Sequence, residues 1–74
     1  MDAEEYIIKV GKRIIHFRTE LGMKQIELAE KIEIEDSALR RIEKGRTNPT
    51  LKTLLKISLA LNIRLIDLLD IDQD

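Results

Sequence analysis

The chain has 74 residues, 43% of them hydrophobic, 36% charged and 3% aromatic, and it contains no cysteine. That composition rules out a disulfide framework and suits one small helical domain over 1–74, stabilised by a leucine and isoleucine core. The net charge is −1, yet all 13 basic residues lie between Lys9 and Arg64 alongside only 7 of the 14 acids, so a +6 middle is flanked by acidic ends.

No run approaches the roughly 18 consecutive apolar residues of a membrane span, and the acidic start Met1-Asp2-Ala3-Glu4-Glu5 is the opposite of a signal peptide's basic one. A cytoplasmic protein with no membrane partner is expected. The first helix is predicted from about Glu4 to Leu21, with Val10, Ile14, Phe17 and Leu21 turned toward the core at helical spacing. Glu4 and Glu5 suit its positive end, and Gly22 closes it in the left-handed conformation. His16, the single histidine, has neither a cysteine nor a second histidine with which to hold a metal, so no metal site is expected.

Two short helices follow, joined by a tight turn, over about 24–44. Gln25 to Ile32 places Leu28, Ala29 and Ile32 on one face, and the next run places Leu39 and Ile42 inward. Only Glu33, Ile34 and Glu35 separate them, so the second of the pair must leave at a steep angle, with Ile34 as the apolar plug of the turn. The loop from Lys44 to Thr50 collects glycine, asparagine and proline, which predicts a turn with exposed backbone N–H groups. Thr50 caps a fourth helix, about Leu51 to Leu61, with Leu51, Leu54, Leu55, Ile57, Ser58 and Leu61 on and around its buried face; Asn62 closes it. A last short helix, about Arg64 to Leu69, buries Leu65, Leu68 and Leu69 before a frayed acidic tail at 70–74.

Gly22-Met23-Lys24-Gln25, Leu28-Ala29, Ile34, Leu39, Ile42-Glu43-Lys44-Gly45 and Asn48-Pro49 resemble the Xre family, the five-helix DNA-binding domains similar to phage repressors and Cro. The resemblance runs from about Val10 to Leu69. It implies an all-α fold, a compact five-helix bundle of the lambda-repressor-like type, and a transcriptional regulator that binds double-stranded DNA. Small controllers of restriction-modification operons are among the proteins the chain resembles. Two positions depart from the pattern: Glu33 stands where the family often has glycine, and Glu35 where it often has serine or threonine. Glu33 therefore requires either a left-handed backbone or a different turn.

The candidate DNA-binding residues follow from both lines of argument. Gln25 starts the second helix, where its backbone N–H and side-chain amide can reach a phosphate, the role the resemblance also implies. A recognition helix reads bases with its first turns, which here present Asp36, Ser37, Arg40 and Arg41 outward. Either arginine can fork onto guanine O6 and N7, or both contact phosphates alone; Ser37 can donate or accept, and Asp36 can accept from cytosine N4. The resemblance implies that Lys44, Gly45, Arg46 and Asn48 grip the sugar-phosphate backbone, consistent with the charge of the basic pair and the close approach that Gly45 permits. It also implies an ion pair between Arg18 and Glu43 linking the first and third helices, and a carboxylate just after inward-facing Ile42 needs such a partner.

Hydrophobic residues are in surplus near the C-terminal end. With Leu54, Leu61, Leu65 and Leu68 inward, Leu59, Ile63, Ile66, Leu69 and Ile71 cannot all be buried, so part of this set is expected to pair two copies of the chain into a homodimer on a palindromic operator. The chain lacks a cysteine nucleophile, a glycine-rich phosphate loop and a second histidine, so neither enzyme chemistry nor a cofactor is expected. Nor is a small-molecule effector evident. The competing reading is an antitoxin-type or protein-partner-binding module that keeps the helix-turn-helix fold.

Overall fold

A computed structural model describes residues 1–71; the 72–74 part of the expected acidic tail lies outside them. The described residues form five helices and no strand: α1 (Ala3–Glu20), α2 (Gln25–Lys31), α3 (Asp36–Glu43), α4 (Leu51–Ala60) and α5 (Leu65–Leu69). None is long and apolar enough to cross a membrane.

Side chains set the starts of four of the five helices, α3 being the exception. Asp2 Oδ1 accepts from the Glu5 N–H at 2.9 Å, and Thr50 Oγ1 accepts from the Thr53 N–H at 3.1 Å. At α2 and α5 a carboxylate three residues in reaches back instead, Glu27 Oε1 to the Lys24 N–H at 2.8 Å and Asp67 Oδ2 to the Arg64 N–H at 2.9 Å.

The first four helices stop in the same way. Gly22, Glu33, Gly45 and Asn62 take φ values of 66°, 60°, 70° and 58°. Each donates its N–H to the carbonyl three residues back, while the following residue donates five back, as in Ile34 N–H to Ala29 O at 3.1 Å. Glu33 thus adopts the left-handed alternative and leaves the spacing of the helix pair intact. Its Cβ is crowded in a conformation that glycine takes freely.

The core is Val10 and Ile14 of α1, Leu28, Ala29 and Ile32 from α2 and its cap, Leu39 and Ile42 of α3, Leu54, Ile57 and Leu61 from α4 and its cap, Leu68 of α5, and Ile71. Phe17, Ile34, Ile63, Leu65 and Leu69 pack half-buried against it. Three residues expected inside lie outside. Leu21 is exposed because it caps α1 beyond the last turn; Leu51 and Leu55, with Leu59, form a row four residues apart along the outer side of α4. Ile71 is corrected in the other direction. At 8% exposure it closes the core instead of offering itself to a second chain.

Contacts on two sides draw α1 against the rest. A Cβ on Gly11 would lie 2.5 Å from the Glu43 carbonyl oxygen and 2.7 Å from that of Ile42, so the end of α3 abuts the α1 backbone. At the far side of α1, Arg13 Nε donates to the Asp67 carbonyl at 2.7 Å while its guanidinium sits 5.2 Å from the centre of the Phe17 ring, and the Tyr6 hydroxyl donates to the Leu69 carbonyl.

Candidate nucleic-acid interface

Helix α3 buries Leu39 and Ile42 and turns Asp36, Ser37, Arg40 and Arg41 to solvent, because residues three apart share a side of the helix. Arg40 Nη2 lies 3.6 Å from Asp36 Oδ2, four residues earlier, so each partly neutralises the other. Arg41 makes no ion pair among the described residues. It is the freer of the two guanidiniums.

Immediately beyond α3, Lys44, Arg46 and Asn48 are exposed and Gly45 is half-buried against Ile8. The expectation that this loop opens its backbone donors holds only in its second half. The N–H groups of Lys44, Gly45 and Arg46 are spent on the Arg40, Ile42 and Arg41 carbonyls in capping α3. Those of Thr47 and Asn48 have no partner among the described residues.

Behind this surface lies a polar junction. Arg18 Nε donates to Glu43 Oε2 at 2.7 Å and Arg18 Nη2 to Glu43 Oε1 at 3.0 Å, a two-pronged pair with side chains only 12% and 2% exposed. Arg18 Nη1 also donates to the Met23 carbonyl at 2.9 Å, and Gln25 Nε2 donates to Glu43 Oε1 at 2.8 Å. One carboxylate therefore joins α1, α2 and α3, and no buried side-chain polar atom among the described residues is left without a partner.

This junction changes the position of Gln25. Its amide is drawn toward Glu43, so one of its two N–H bonds is committed and only the other is free to face a phosphate. Two structural features were not read from the sequence. The Gln25–Glu43 bond spans 18 residues and has no local signature. Gly11 did leave a signal, a lone glycine beside Val10 in a helical pattern, where it costs about 1 kcal/mol against alanine and so implies close backbone approach.

Of the residues expected to pair two copies, Leu59 and Ile66 are 69% and 56% exposed, whereas Ile63 and Leu69 are half-buried against the chain's own core. With Leu51 and Leu55, Leu59 and Ile66 make four exposed large apolar side chains on α4 and α5.

Comparison with known proteins identifies the family and the fold. A family model described as helix-turn-helix matches residues 14–68. An uncharacterised helix-turn-helix-type transcriptional regulator of Archaeoglobus fulgidus is 39% identical over 62 residues, covering 84% of this chain and 89% of the relative. The restriction-modification controller protein C.AhdI from Aeromonas hydrophila is a structural neighbour with a TM-score of 0.81 and 32% identity, over 84% of this chain and 94% of its own. SinR, a master regulator for biofilm formation solved in complex with DNA, aligns with a TM-score of 0.77 and 40% identity over 82% of this chain and 98% of the solved chain. The chain spans 56% of the length of SinR from Bacillus subtilis.

Proposed function

The chain belongs to the helix-turn-helix family of DNA-binding transcriptional regulators, and from that premise we propose that it acts in the cytoplasm as a homodimer on a palindromic operator. The observation that carries the DNA reading is the exposed first half of α3, held at a fixed angle by the buried Arg18–Glu43–Gln25 junction and continued by the basic Lys44–Arg46 loop. Arg41, without an ion pair among the described residues, reads a base edge in the major groove. Arg40, tempered by Asp36, and Ser37 contact neighbouring bases or phosphates. Lys44 and Arg46 contribute charge, Gly45 allows the backbone to come close, and Asn48 with its own and the Thr47 N–H groups bonds phosphate oxygens. Gln25 adds its helix-start N–H and its one free amide N–H.

The exposed Leu51, Leu55 and Leu59 of α4 and Ile66 of α5, with half-buried Ile63 and Leu69, support pairing of two copies through these helices. To read successive major-groove faces of a palindrome, the two α3 helices of such a dimer must stand about 34 Å apart, one turn of the duplex. That SinR has been solved with DNA supports the DNA-binding part of the proposal.

Selection from random duplexes followed by titration at several salt concentrations tests it. Arg46→Ala should weaken all sequences alike and lower the salt slope by about 1, whereas Arg41→Ala should cost about 1–3 kcal/mol mainly at one base pair. Absence of binding to any selected duplex at low salt would refute the proposal in favour of a protein-partner module.

A further inference from the structure

A cavity of about 180 Å³ lies between the N-terminal half of α1, the end of α3, the α3–α4 loop, α4 and Leu69 at the end of α5. Its floor is apolar and buried, made of Val10, Gly11, Ile42 and Leu54. Its rim is polar. Tyr6 and Asn48 stand there exposed; the Tyr6 hydroxyl spends its proton on the Leu69 carbonyl and keeps lone pairs to accept with, and the Asn48 side chain makes no hydrogen bond among the described residues.

We infer that this cavity is a binding site for a small neutral aromatic alcohol, one ring with one hydroxyl. Size sets the ring, since an apolar cavity of about 150 Å³ accommodates benzene. Polarity sets the rest. A charged group would have to shed its hydration against Val10, Ile42 and Leu54, which offer it nothing in return. A hydroxyl carried on the ring edge instead reaches the rim, where the Asn48 amide can donate to it or accept from it. The same Asn48 is one of the residues assigned above to phosphate, so an occupant that engages its amide competes with DNA. This coupling rests on the proposed DNA reading, whereas occupancy of the cavity does not.

The test uses the intact chain with phenol and toluene as probes and methyl NMR as the readout. Phenol should produce saturable shifts at the Val10, Ile42, Leu54 and Leu69 methyls at roughly millimolar concentration, the range open to a single ring. Shifts that do not saturate, or that centre on Leu59 and Ile66, overturn the site. Phenol should bind several-fold more tightly than toluene, and Asn48→Ala should remove that preference; a preference retained in the variant overturns the role of the rim.

Ile7→Trp, at a half-buried lining position in a chain without tryptophan, supplies an internal check. Its indole should enter the cavity, emit at blue-shifted wavelengths and abolish the phenol shifts. A solvent-like emission overturns the claim that the cavity accepts an aromatic ring. For the coupling, saturating phenol should weaken binding to the selected duplex several-fold. Unchanged DNA affinity with saturated methyl shifts refutes the competition alone. A chain that binds no duplex fails the proposed function, while the methyl titration still decides the cavity.

Discussion

The junction at Glu43 gives the sharpest test of how the recognition helix is held. Arg18→Met keeps the length of the side chain and removes its charge, leaving a carboxylate with 2% side-chain exposure on the Gln25 amide alone, without the bonds of 2.7 and 3.0 Å from the guanidinium. Breaking a buried pair on one side costs about 3–5 kcal/mol, and because Arg18 retains 12% exposure the lower figure, about 3 kcal/mol, applies. A 74-residue domain has only about 4–11 kcal/mol in total. At about 4–8 °C per kcal/mol, the midpoint should fall by roughly 12–24 °C in a calorimetric or circular-dichroism melt. The double variant Arg18→Met with Glu43→Leu leaves no orphaned charge and should return to within about 1 kcal/mol of the parent, giving a coupling energy of several kcal/mol in a double-mutant cycle. Single variants that melt with the parent, or a double variant that loses the sum of both, would refute the argument that this pair holds α1 to α3.

Glu33→Gly should raise stability by about 0.5–1 kcal/mol, because relief at φ 60° outweighs the entropy that glycine adds to the unfolded chain; a lower midpoint in urea would contradict the strain. Gly11→Ala gains helix propensity but forces a methyl to 2.5 Å from the Glu43 carbonyl oxygen, so a net loss of about 1–2 kcal/mol is expected, and a stabilised variant would show that α1 and α3 are not in tight contact. Ile66→Glu, at a position 56% exposed, should convert a sedimenting dimer into a monomer at micromolar concentration with helicity unchanged; a parent chain that is already monomeric there refutes pairing through α4 and α5.

How much of this molecule is legible without its structure depends on the range of the interaction concerned. The five helices and the left-handed stops at Gly22 and Asn62 are local, since each follows from apolar spacing or backbone preference within a few residues. The outward set Asp36, Ser37, Arg40 and Arg41 follows too, once Leu39 and Ile42 are taken as the buried side of α3. Spacing says which residues of a helix share a face, and nothing about how much of that face a neighbour covers. That is why Leu51 and Leu55 looked inward but lie outside, and why Ile71, which looked available to a second chain, completes the core. The choice of Glu33 between a left-handed backbone and another turn was settled by the Ile34 N–H meeting the Ala29 carbonyl. The Gln25–Glu43 bond, the contact of Gly11 with the end of α3, and the cavity between α1 and the α3–α4 loop join segments far apart in the chain. These depend on the angle and distance at which helices pack, and those are set by all the side chains of the core acting together.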